Sequence, residues 1–79
     1  MEIRIQYFGQ LADMAGQASE IWTLPEKFTV KELREKVNEK YPEIGMRKFK
    51  VAVNLQIAED FVQVTPDSEI ALLPPFAGG

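Results

Sequence analysis

Residues 72–79 read LLPPFAGG. None of them has an ionisable side chain, yet they hold the best candidate for chemistry in the chain. The rest of the sequence argues against side-chain catalysis. It contains no cysteine and no histidine. The first absence removes thiolate nucleophiles, disulfides, iron–sulfur ligation and cysteine-based zinc sites. The second removes the commonest general acid–base. Serine occurs only at Ser19 and Ser68, and without histidine neither has an obvious base. No glycine-rich phosphate loop is present. The acidic step Ala58–Asp60 reads as a loop rather than a metal site. The mixed charges of KELREKVNEK read as a solvated helix face laced with i,i+4 ion pairs.

The remaining group is the carboxylate of Gly79. Pro74 and Pro75 favour an extended, polyproline-like exit that cannot fold back into a strand ladder. Six residues from Pro74 onward reach about 20 Å at about 3.3 Å each. Ala77, Gly78 and Gly79 form a thin cord, and glycine adopts backbone angles closed to other residues. Such a tail suits a narrow tunnel in a partner enzyme. A carboxylate is a poor electrophile until its oxygen becomes a good leaving group, for example in an acyl-adenylate made with ATP. Sulfur delivered to the carbonyl carbon then leaves a thiocarboxylate, and a side chain on the last residue would crowd that carbon. The bland alternative is a frayed, idle terminus.

Something rigid must aim this tail. EIRIQYF sets Ile3, Ile5 and Tyr7 against Arg4, Gln6 and Phe8, the period of a half-buried strand. QLADMAG carries Leu11, Met14 and Ala15 at helical spacing, with Gly16 placed to end the turn. SEIWTL is a second strand. Both Ile21/Thr23 and Trp22/Leu24 can face inward, and the larger apolar area of Trp22 and Leu24 favours that pair. An antiparallel hairpin with the first strand is the economical pairing. FTVKELREKVNEKYP then places Val30, Leu33, Val37 and Tyr41 on one stripe. Thr29 and Glu32 make a capping box, and Phe28 is placed to staple onto Leu33. The helix therefore spans about 29–41, stopped by Pro42.

PEIGM reads as a loop. FKVAVN alternates Phe49, Val51 and Val53 against Lys50 and Ala52. LQIAEDFVQV reads as a turn at Asn54–Gln56 followed by a short edge strand. EIALLP is apolar on both faces, the mark of a central strand, and Pro74 ends its pairing. Strand–strand–helix–strands predicts an α+β fold of the β-grasp (ubiquitin-like) type. Its mixed sheet has four to five strands, the first and last are parallel central neighbours, and one main helix crosses one face. The expected division is a domain at 1–73 and a functional tail at 74–79.

Bulk properties agree. At 79 residues the chain is one domain, burying roughly 60–65% of its unfolded surface. It is 46% hydrophobic and 27% charged, ordinary usage for a chain that folds alone. A net charge of -3, with Lys and Arg scattered among acids, argues against a nucleic-acid surface. No apolar run approaches the roughly 20 residues a membrane span requires. MEIRIQ lacks the apolar core of a signal peptide, so a cytoplasmic location is expected.

Four segments carry a resemblance over essentially the whole chain: IQYFGQLADMAG, TVKELREKVNEKYP, VAVN and EIALLPPFAGG. In order and spacing they resemble the small subunits of molybdopterin synthase, ubiquitin-like sulfur carriers of molybdenum (or tungsten) cofactor biosynthesis. The resemblance implies that Gly79 is adenylated by an ATP-dependent adenylyltransferase of the ubiquitin-activating type and then thiocarboxylated by way of a sulfur-donor protein. Its sulfur would pass to a cyclic pyranopterin monophosphate in the large subunit, within a heterotetramer. Two large subunits would form the central dimer of that assembly, with one small subunit at each end. Carried over by position, Gly78 and Gly79 are the working tail, and Pro75, Phe76 and Ala77 belong to its docking segment. Phe8 is either a hydrophobic docking contact or core. No bound cofactor is implied; ATP belongs to the activating enzyme.

Two stretches depart from the family pattern. Leu11–Asp13 reads LAD where relatives often have LRE, and PDSEI from Pro66 stands where many have DGDEV. Sulfur carriage for thiamine or tRNA thiolation, ubiquitin-like protein modification through Gly79, and a passive β-grasp interaction domain remain alternatives.

Overall fold

A computed structural model describes residues 1–75. Strand β1 (Glu2–Tyr7) pairs antiparallel with β2 (Ser19–Thr23), setting Ile3 opposite Trp22 and Ile5 opposite Glu20. The short helix α1 (Gln10–Ala15) joins them and ends at Gly16, whose φ of 75° is the left-handed cap glycine supplies without a Cβ penalty. The inward set is Trp22 on β2 and Leu24 just past its end, each 3% exposed, whereas Ile21 is 51% exposed. Burying the larger pair wins because the gain scales with apolar area.

Helix α2 (Val30–Lys40) begins at Thr29. The Thr29 hydroxyl accepts from the Glu32 N–H at 3.2 Å, and the Thr29 N–H donates to the Glu32 carboxylate at 3.0 Å. This is the expected capping box, with Tyr41 as the C-cap. Val30, Leu33 and Val37 are wholly buried. The charged residues of α2 do not form the expected ladder of pairs along the helix. Among the described residues the ion pairs are Arg34–Asp60 and Lys40–Glu20, both reaching off the helix to other elements. Arg34 also donates to the Phe49 carbonyl at 3.0 Å and lies 4.9 Å from that ring's centroid.

PEIGM is not a loop. Pro42–Gly45 forms a third helix, α3, with Pro42 in its first turn and Ile44 wholly buried. Proline ends one helix and begins the next, because its missing N–H costs nothing at a first helical position. Two further short strands, β3 (Phe28–Thr29) and β6 (Gln63–Val64), make a separate two-stranded sheet beside the helix start.

The remaining strands are β4 (Lys50–Val53), β5 (Gln56–Ile57) and β7 (Ile70–Leu73). The main sheet has the order β2-β1-β7-β4-β5. β7 runs parallel to β1, with Tyr7 beside Leu72, and antiparallel to β4, with Val51 opposite Leu72. A parallel pair needs a long crossover, and α2 lies within it. This is the β-grasp arrangement, with the first and last strands as central neighbours. The core gathers Ile3, Ile5, Leu33, Val37, Val51, Ile70 and Leu72 on the helix-covered face. Among the described residues no helix is long and apolar enough to cross a membrane.

Candidate functional site

β7 delivers the tail from the middle of the sheet. Leu73 is its last paired residue, Pro74 is half-buried and Pro75 is exposed. The Phe8 N–H donates to the Leu72 carbonyl at 3.1 Å, carrying the ladder with β7 one step past the end of β1. The next residue, Gly9, has φ 55° and ψ -133°, a combination essentially confined to glycine. A Cβ on Gly9 would lie 3.2 Å from Pro74 Cγ. Gly9 therefore forms a bare seat against which Pro74 rests. With φ fixed by its own ring, the proline leaves the sheet in a defined direction. Phe76, Ala77, Gly78 and Gly79, the four expected tail positions after Pro75, lie outside the described residues.

The face of the sheet away from the helices adjoins this exit. Strand alternation places Phe8, Leu73 and Lys50 in one row, and Gln6, Ala71, Ala52 and Ile57 in the next. Phe8 is 45% and Ile57 57% exposed. Of the two expectations for Phe8, core is ruled out: it is an exposed aromatic beside the exit, suited to a docking contact. Ala71 and Leu73 are half-buried under this face, which no helix covers among the described residues. The apolarity of both faces of EIALL thus has two causes. Ile70 and Leu72 fill the core, while Ala71 and Leu73 lie under a bare apolar surface.

Behind the exit, on the covered face, a polar clamp holds the sheet to α2. Tyr7 and Tyr41 hydroxyls each donate to Glu20 Oε1 at 2.7 Å, and Lys40 pairs with Oε2. The two rings meet edge to face at 5.7 Å, and Gln17 donates to the Tyr41 hydroxyl at 3.2 Å. Burial opposes the charge on Glu20, but the hydrogen bonds from Lys40, Tyr41 and Tyr7 outweigh it and hold the carboxyl down at about 2. Burial, then the neighbouring Glu20, pushes the Tyr7 hydroxyl up. The Glu20 bond raises Lys40, against a smaller desolvation effect. The buried Trp22 N–H meets no hydrogen-bond partner among the described residues. Because Tyr7 sits beside Leu72, the clamp stiffens the part of the sheet from which the tail departs.

Sequence reasoning missed both the Gly9 seat and the clamp. The clamp had a signal: Glu20 shares inward parity with Trp22, and a carboxylate on the core side of a strand needs buried partners.

This geometry can present a main-chain end; it holds no catalytic set of side chains among the described residues. The model of the ThiS family matches residues 5–79, from the first strand through both tail glycines. The chain belongs to the ThiS family. Among curated relatives, a molybdopterin synthase sulfur carrier subunit of Caenorhabditis elegans is 25% identical over 85 aligned positions, covering 100% of this chain and 99% of that protein. Among solved structures, a putative molybdopterin converting factor subunit 1 from Pyrococcus furiosus superposes with a TM-score of 0.87 at 19% identity, covering 96% of this chain and 99% of that one. A chain of the complex of subunits 1 and 2 of molybdopterin-converting factor from Helicobacter pylori matches with a TM-score of 0.67 at 23% identity, covering 100% of this chain and 100% of that one. These structural likenesses show that chains with little sequence in common with this one share its fold.

Proposed function

We propose that this ThiS-family chain is the sulfur carrier subunit of a molybdopterin synthase. The observation that carries the reading is the central strand β7 ending on the Gly9 seat, at the edge of a bare apolar face, just before PFAGG. The sulfur carrier relative named above, aligned end to end with this chain, supports it.

In this mechanism the protein contributes no acid, base or nucleophilic side chain. An adenylyltransferase of the ubiquitin-activating type joins the Gly79 carboxylate oxygen to AMP from ATP, releasing pyrophosphate. Sulfide-level sulfur (HS⁻) released by a sulfur-donor protein then attacks the carbonyl carbon, AMP departs with the electrons of the C–O bond, and the thiocarboxylate remains. Residues 74–79 act as the functional tail of the domain at 1–73. Pro74 and Pro75 stiffen its base, Phe76 and Ala77 continue the docking segment, and Gly78 and Gly79 thread the large subunit. There the thiocarboxylate sulfur bonds to cyclic pyranopterin monophosphate, and water cleaves the acyl–sulfur bond to leave the sulfur on the pterin and return the Gly79 carboxylate. Phe8, Leu73, Ala71 and Ile57 form the surface that the partner covers, and two such chains flank a dimer of large subunits.

The test is reconstitution of molybdopterin synthesis with a purified large subunit, an activating enzyme and a sulfur source. Deleting Gly79, or adding one residue after it, is expected to reduce product to background while circular dichroism and Tm stay unchanged. Full activity of the Gly79-deleted chain would end the proposal. Isopeptide adducts through Gly79 on other proteins, without synthase activity, would mark a protein modifier instead.

A further inference from the structure

The hairpin between β4 and β5 is built from Asn54 and Leu55, with Val53 opposite Gln56. Both turn residues have positive φ, 52° for Asn54 and 69° for Leu55. Two-residue hairpin turns of this sign favour Asn followed by Gly, because glycine has no Cβ to meet the neighbouring carbonyl. Asn54 fits the pattern and is used: its N–H donates to the Glu69 carbonyl at 2.9 Å, and its Oδ1 accepts from the Glu69 N–H at 2.9 Å. These bonds pin the turn to the segment entering β7.

Leu55 breaks the pattern. It occupies the glycine position, yet it is 89% exposed, so its side chain recovers little by packing at home. An aliphatic residue held in a disfavoured geometry and shown to solvent points to a role outside the fold.

We infer that Leu55 is an apolar anchor for the large subunit, inserted into a hydrophobic socket at the margin of the docking face. The inference rests on the sulfur-carrier reading. Ile57, two residues on and 57% exposed, lies opposite Ala52 on the bare face and joins Leu55 to the apolar rows at the exit. From Lys50, beside the exit, to the turn is four residues, about 13 Å along a strand. A standard protein interface covers about 800 Å² per partner, a patch about 30 Å across. One partner that swallows the tail therefore also reaches Leu55.

The experiment uses the full chain and its purified large subunit. Thermal unfolding and binding affinity are measured for wild type, Leu55→Gly and Leu55→Met. For Leu55→Gly the two readouts should move in opposite senses. Tm rises by about 4 °C as backbone strain is relieved, while affinity falls about tenfold. Leu55→Met should bind within about twofold of wild type, since methionine fills apolar sockets adaptably. A raised Tm with unchanged affinity overturns the anchor, and an unchanged or lowered Tm overturns its premise of strain. Failure of wild type itself to bind the large subunit would instead overturn the sulfur-carrier reading beneath it.

Discussion

The two faces of the main sheet carry apolar residues for different reasons. On the covered face, Ile3, Ile5, Ile70 and Leu72 are at most 1% exposed and pack against the helices. On the bare face, Phe8, Leu73 and Ile57 stay partly or largely in water. Each fully buried aliphatic side chain stabilises the fold by about 1.5–3 kcal/mol, so the covered face accounts for stability. The bare face contributes far less to folding, and contiguous exposed apolar surface marks an interaction site. Leu72 and Leu73, adjacent on one strand, divide the two roles between them.

Substitutions can break or sharpen this contrast. Leu72→Ala should destabilise by about 2–5 kcal/mol through the cavity it leaves, whereas Leu73→Ala should cost well under half as much, measured by denaturant unfolding. Equal losses would remove the distinction between the faces.

Next is the clamp on the covered face. Glu20 ionises at about 2 in the fold against an ordinary 4.5. The folded value is depressed, so its contribution is fully present above about pH 4.5 and is lost as pH falls toward 2. Removing the charge with Glu20→Gln should cost about 1.5–3 kcal/mol at neutral pH, the range for hydrogen bonds to a charged group. The variant's stability should also fall less steeply than wild type between pH 4.5 and 2, read from Tm across that window. Parallel acid limbs would deny Glu20 this role.

Gly9→Ala should cost about 1–3 kcal/mol, because its backbone angles are confined to glycine. It should also lower sulfur transfer beyond what instability explains, because Pro74 loses its seat; the check is carrier activity measured well below Tm. The smallest effect on folding belongs to Phe8→Ala. Its stability should change by within about 0.5 kcal/mol, as for other surface sites, while affinity for the large subunit drops several-fold. A large stability loss with intact binding would return Phe8 to the core.

Much of this contrast is legible in the sequence. Alternation in EIRIQYF and the apolar character of both faces of EIALLP marked the two central strands, and Val30, Leu33 and Val37 marked the helix with its Thr29–Glu32 box. Two-residue strands such as β3 and β6 are too short to show a period. Pro42 was readable as a stop but not as a start, since four residues of α3 span barely one turn. The clamp joins residues far apart in sequence, and the Gly9 seat depends on backbone angles that a glycine letter permits but does not specify. The candidate tail was visible for the opposite reason: a sequence without cysteine or histidine leaves little else to do chemistry.

The central claim is that Gly79 carries sulfur on its carbonyl carbon. Its most direct test is the intact and C-terminal-peptide mass of the protein isolated from its native cells while they make the cofactor. A fraction with one carboxylate oxygen at Gly79 replaced by sulfur is the predicted result. A Gly79 that stays an unmodified carboxylate throughout, in cells actively producing molybdopterin, would contradict it.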